Sequence, residues 1–380
     1  MKKILILLLL LPLLTGCWDR LDLKKLHLVD VNGFDLNEKN GEVDVFFLIT
    51  KLKSTGQGTG EPISETKVLK GPTLAEAIGQ WEYTEQSPFI GISTRVTLIS
   101  KSFASVDPVS ELDFLLGAPY SSINTPIFVV DGDLSKVFKT ASDPKKEFSR
   151  DLNEFVVSME KNRTIPTVSK MNFIQSRDDP LSDIALPMLS SINSHMELSG
   201  ALLYRRGTPT GKTLDRDQVK LMMLLKGGNT GRQRFTGNLE RFTGKLSGNN
   251  GEKSYSESAK KNNYGFTVKR NLSKITVSNE KNKLPKIEIK VKLQVSTFEL
   301  GKEGHKLKPN YAKMEKILSK HFEKMALETI KTMQSANSDV LGIGREIKAF
   351  HPNVWKSLNW RNDYPKMTIE PKIEIDILNT

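Results

Sequence analysis

The chain has 380 residues, a formal net charge of +12 and a single cysteine. That length supports two or three domains, each with a core of its own. One thiol excludes an internal disulfide, and no stretch after residue 16 is long and apolar enough to be a transmembrane candidate.

Lys2 and Lys3 open the chain with positive charge, and Ile4 to Leu14 form an apolar run of 11 residues that includes Pro12. Crossing a bilayer as a helix takes about 20 residues, so the run reads as the core of a secretory signal peptide. Leu14-Thr15-Gly16-Cys17 closes it with small residues, which predicts a signal peptide over 1–16 and cleavage between Gly16 and Cys17. This region resembles the bacterial lipoprotein box, and the resemblance implies a diacylglyceryl group on Cys17. Two acyl chains, at about 0.8 kcal/mol per buried methylene, hold a protein on a membrane where one holds it only transiently.

Charge divides the mature chain. Cys17 to Leu198 carries 19 Lys and Arg against 26 Asp and Glu, whereas Ser199 to Thr380 carries 35 against 18. The sign change predicts a domain boundary near residue 198. A basic second half suits an anionic partner or membrane surface, although solvated charge on ordinary domains gives the same composition.

In the first half, Glu42 to Leu52 alternates at period two, and Arg95 to Ile99 and Ile127 to Val130 are further β-branched runs; these are predicted strands. Thr73 to Gln86, Pro108 to Leu116 and Phe148 to Asn162 carry helical spacing. Asp178-Asp179-Pro180 and Leu186-Pro187 break the pattern, so 178–198 is expected to be a linker.

The second half starts with a short strand, Gly200 to Tyr204, a turn containing Gly207, Pro209 and Gly211, and a helix from about Asp215 to Lys226 ended by Gly227-Gly228. Strands are expected at 265–269 and 274–277. Ile287, Ile289, Val291, Leu293 and Val295 then alternate with polar residues, as in an antiparallel sheet with one wet face. Tyr311 to Ala336 is a long amphipathic helix whose apolar stripe faces that sheet. Gly342 and Gly344 follow it, then a tryptophan-rich turn, then a last strand with Ile373, Ile375 and Ile377. The class is α+β, in serial domains of mixed or antiparallel sheet packed with helices. The expected divisions are an N-terminal domain and linker over 17–198, a second domain over 199–263 whose segment 229–263 is basic and polar, and a sheet-plus-long-helix domain over 264–380.

No catalytic, cofactor or metal motif emerges. Gly207-Thr208-Pro209-Thr210-Gly211-Lys212-Thr213 has three residues between its glycines where a phosphate loop needs four, and a proline removes one amide donor. The five histidines show no zinc spacing, and no Gly-x-Ser-x-Gly elbow is present. Arg234-Phe235-Thr236-Gly237 recurs as Arg241-Phe242-Thr243-Gly244. Basic residues interleaved with aromatics can grip a headgroup layer, so Arg234 and Arg241 are candidate contacts to anionic lipid, beside the plainer reading of a flexible loop or hairpin. Nucleic acid is not expected as a partner.

Asn337-Ser338-Asp339-Val340-Leu341-Gly342-Ile343-Gly344, followed by His351-Pro352, Trp355, Trp360 and Tyr364-Pro365, resembles the C-terminal signature of the Ger(x)C spore germination lipoproteins. Gly16-Cys17-Trp18-Asp19-Arg20 is similar to that family's mature start. Leu112 to Leu116 with Phe128 to Val130, and Ser199 to Tyr204, are similar to blocks of its first two domains. The resemblance implies a three-domain α+β architecture without catalytic activity. It also implies a C subunit of a nutrient germinant receptor, tethered to the outer face of the spore inner membrane beside two integral membrane subunits. Asp339, Gly342, Gly344 and Trp355 are its candidate structural or interaction residues, with helix termination the plain role of the two glycines. The alternatives are a solute-binding lipoprotein of a transporter and an enzyme acting on cell-wall polymer.

Overall fold

Two sheets organise the computed structural model, which describes residues 27–52, 62–84, 89–118, 121–143, 147–192, 195–228, 232–239, 263–279, 283–300 and 310–378. The signal peptide expected over 1–16, with Gly16, and Cys17 and Arg241 lie outside the described residues.

The larger sheet is mixed. Its order is β3 (Pro62–Gly71), β2 (Val43–Leu52), β1 (His27–Leu36), β5 (Val96–Ser100), β6 (Ile127–Val130), β7 (Asp183–Ile192), β8 (His195–Arg205) and β9 (Thr208–Asp215), with β4 (Phe89–Ile90) also paired to β1. Strands β1, β5, β6 and β7 run parallel, and antiparallel hairpins extend the sheet on both sides. Every residue of β5 and of β6 is buried, as a parallel strand covered on both faces requires. One face is covered by α1 (Leu74–Gly79), α2 (Trp81–Thr84), α3 (Lys101–Ser105) and α4 (Pro108–Leu112), the other by α5 (Leu134–Ala141) and α6 (Phe148–Lys161). The short α7 (Lys170–Gln175) adds Phe173 and Ile174 to the first of these layers.

The smaller sheet has the order β10 (Arg234–Asn238), β11 (Asn263–Ser278), β12 (Lys286–Glu299) and β13 (Ile369–Ile377). Between the sheets lies α8 (Arg216–Lys226), opened by an Asp215–Gln218 capping box and closed by Gly227 at φ +79°. Its Val219 and Leu221 to Leu225 are buried. The 25-residue α9 (Tyr311–Ser335) lays Met314, Leu318, Phe322, Ala326, Ile330 and Met333 into the core. Three short helices follow, α10 (Ile343–Phe350), α11 (Pro352–Lys356) and α12 (Trp360–Asp363). No described helix is long and apolar enough to cross a membrane.

Several local expectations change in three dimensions. The stretch 178–198 is not a linker: it holds β7 and the start of β8, and Pro187 is accommodated within the β7–β8 hairpin. Residue 198 sits inside β8, so the larger sheet runs on past the charge boundary. Pro209 and Gly211 belong to β9, where Pro209 pairs with Tyr204, and the turn itself is confined to Arg206-Gly207. The two strands expected at 265–277 are one bulged strand of 16 residues. The helix expected over Thr73–Gln86 breaks after Gly79. Finally, β13 runs parallel to β12, because α9 to α12 form the crossover that a parallel connection needs.

Candidate functional site

The turn after α9 joins the two sheets. Asn337 has a φ of +47° and Gly342 one of +78°, so the chain passes from α9 to α10 through two left-handed residues. Asp339 lies between them and is 3% exposed. Its Oδ1 accepts the Ile343 N–H at 3.0 Å and its Oδ2 the Gly344 N–H at 2.7 Å. The carboxylate thereby satisfies two amides that the start of a helix leaves open.

The two glycines serve different ends. A Cβ on Gly344 would stand 2.6 Å from Trp360 Cε2, so the position demands absence of a side chain. A Cβ on Gly342 would meet nothing, and there the demand is the left-handed backbone. The aromatic turn packs behind them, with ring centroids 5.8 Å apart for Trp355 and Trp360 and 5.2 Å for Trp360 and Tyr364. Trp355 is half-buried at the end of this row.

A second carboxylate comes from the other sheet. Asp183, on β7, accepts the Asp339 N–H at 2.7 Å and receives both arms of Arg361, at 2.6 and 3.0 Å. The Ser338 hydroxyl donates to the carbonyl of Tyr204 on β8 at 2.8 Å. Gln334 and Asn337 donate to carbonyls of Tyr364 and Arg361, both at 2.9 Å or less. Burial pushes the Asp339 carboxyl up to about 7; the nearby Asp183 charge adds to this, while the amides of Gly344, Ile343 and Gly342 pull it back. Burial likewise drives the Tyr364 hydroxyl well above its ordinary range.

A cleft of about 370 Å³ opens beside this junction, lined among others by Gln175, Ser176, Asp179, Lys226 and Arg345. Arg345 pairs with Asp179 at 2.5 Å across its mouth. The Leu181 N–H and then Arg345 hold the Asp179 carboxyl below its ordinary value. Desolvation, and then the Arg345 charge, hold the Lys226 ammonium below its own.

Chemically the arrangement is a clamp: helix amides and a guanidinium occupy the two buried acids, which binds the C-terminal turn to β7 and β8. Among the described residues no group of His, Cys, Asp or Glu is placed to hold a metal ion. His321 faces the Tyr264 hydroxyl at 3.2 Å and packs on Phe322 beside the smaller sheet, where burial lowers it to about 4.

Of the residues singled out from sequence, Asp339, Gly342, Gly344 and Trp355 come together here. Arg234 does not: it lies on β10, with its guanidinium 4.9 Å from the centre of the Phe298 ring. Sequence reasoning missed Asp183 and Arg361, which are 178 positions apart. Nothing local marks Asp183, and the only hint of Arg361 is its place directly after Trp360.

Residues 19–191 match the family described as spore germination protein N-terminal domain, and residues 199–380 match the one described as spore germination B3/GerAC like, C-terminal. The chain belongs to the Ger(x)C family. Among the relatives of this Ger(x)C chain is the spore germination protein GerQC of Bacillus cereus, 24% identical over 381 residues, which cover 99% of this chain and 98% of that one. The crystal structure of the GerBC protein has a similar fold, with a TM-score of 0.57 at 14% identity over 94% of this chain and 100% of that one. The seam between the two family matches, 191 to 199, falls at the β7–β8 hairpin.

Proposed function

We propose that this chain is the lipid-anchored C subunit of a nutrient germinant receptor, a non-enzymatic protein that docks on two integral membrane subunits at the outer face of the spore inner membrane. The observation that carries this reading is the colinear Ger(x)C match from residue 19 to residue 380, directly behind a lone cysteine in lipoprotein-box context. A clamp that fixes the C-terminal turn to the larger sheet supports a rigid docking body in preference to a hinged binding cleft. A lipid tether makes docking effectively intramolecular, at local concentrations on the order of mM, so individual contacts can be weak.

The test is Cys17→Ala expressed in sporulating cells. The reading requires loss of the protein from the spore membrane fraction and a strong fall in nutrient-triggered germination. Retention in the membrane with unchanged germination sinks it.

A further inference from the structure

The long helix α9 separates its charges by face. Lys313, Lys316, Lys320, Lys324 and Lys331 are all exposed. At 3.6 residues per turn and 1.5 Å per residue they fall within an arc of about 80° and run along about 27 Å of the helix. Two of the helix's three acids are turned away: Glu315 and Glu323 accept the backbone N–H of Ile377 and of Ile373 at the edge of β13, at 2.9 and 3.1 Å. Glu328 remains at the border of the stripe, and Ile317, 37% exposed, flanks the lysines on that same side.

We propose that this face of α9 lies on the anionic headgroup layer of a membrane. The inference deepens the reading above, which places the chain beside a bilayer, by naming the surface turned towards it. The charges of the stripe are all lysine, with no arginine and no aromatic residue among them, and half-buried Leu327 lies within the same arc. Protein interfaces are depleted in Lys and enriched in Arg and aromatics, and a compact, hydrated ammonium suits diffuse attraction to headgroups better than fixed pairing with one carboxylate. The narrow arc and the length of the stripe let all five charges meet one plane, and Ile317 can enter its outer edge. The excess of basic residues after Ser199, 35 against 18 acidic, adds long-range attraction of the same sign.

The experiment is vesicle co-sedimentation of the mature chain, residues 17–380 made without lipid, using phosphatidylcholine vesicles with and without phosphatidylglycerol. Binding is expected only with phosphatidylglycerol, and it weakens as salt rises. Lys313→Gln/Lys320→Gln/Lys331→Gln should weaken it by about fivefold per lysine, on the order of a hundredfold in all. A control with the same charge loss on the other half, Lys70→Gln/Lys101→Gln/Lys136→Gln, should bind like the parent; circular dichroism of both variants confirms folding. Equal loss in the two variants, or binding indifferent to phosphatidylglycerol, overturns the proposal. So does unchanged vesicle binding by the α9 variant together with a crosslink from Lys320 to a protein in spore membranes, which would assign the face to a protein partner. Because no acyl group is present, a failure of the Cys17 reading leaves this result untouched.

Discussion

Arg361 grips Asp183 with both guanidinium arms across 178 positions of sequence, and the Asp183 side chain is 1% exposed while that of Arg361 is 25% exposed. Removing one partner of such a pair strands the other charge in a dry setting, a loss of about 3 kcal/mol. Arg361→Ala should therefore lower stability by about that amount in urea unfolding. Arg361→Lys should recover little, because an ammonium cannot make the two parallel bonds of the planar fork. A near-neutral Arg361→Ala would show that the junction is held by its apolar contacts alone.

Gly344 and Gly342 separate steric from conformational demand. Gly344→Ala drives a methyl into Trp360 and should cost about 2 kcal/mol by overpacking. Gly342→Ala has open space but a φ of +78°, with an expected cost of about 1 kcal/mol. Combining Gly344→Ala with Trp360→Phe should restore part of the loss in the first case. Thermal unfolding of the single and double variants reads the difference.

Two buried groups give pH dependence of opposite sign. The Asp339 carboxyl titrates near 7 in the folded chain and near 3.8 in the unfolded one, so between these values the folded state holds more protons and stability falls as pH rises. The span is on the order of 4 kcal/mol, and Asp339→Asn should flatten that part of the profile. Lys170 is 1% exposed, and burial lowers it from 10.5 to about 8. Here the unfolded state holds more protons between 8 and 10.5, so stability rises with pH across that window. Lys170→Met should stabilise by on the order of 3 kcal/mol at neutral pH, with the gain shrinking above pH 8. Guanidinium titrations at several pH values test both signs.

The free edge of β13 is occupied by side chains of α9. Glu315, Ser319 and Glu323, one helical turn apart, accept the N–H groups of Ile377, Ile375 and Ile373 at 2.9, 3.0 and 3.1 Å. An uncovered edge invites pairing with a second chain. Glu315→Ala/Ser319→Ala/Glu323→Ala should lose about 1 kcal/mol per bond at most, and should self-associate in analytical ultracentrifugation where the parent does not.

Elements with a strong local signal are legible in the sequence alone. The period-two alternation of β12, the four apolar residues of β6, the start of α8 near Asp215 and its Gly227 stop, and the stripe of α9 each follow from neighbours within a few positions, because helix termination and periodicity are short-range physics. So is the turn around Asp339, Gly342 and Gly344. The parallel pairing of β13 with β12 was not legible, since alternation is the same in either direction. Nor was the place of β8 and β9 on the first half's sheet, where Pro209 and Gly211 looked like turn residues but sit in an edge strand that tolerates them. Sequence by itself determined the buried faces of β6, β12 and α9 and the ends of α6, α8 and α9. Only the tertiary structure decided which faces meet, and so put Asp183 against Arg361 and Asp339, because a charge pair joining positions so far apart exists only once both sheets have formed and excluded water from between them.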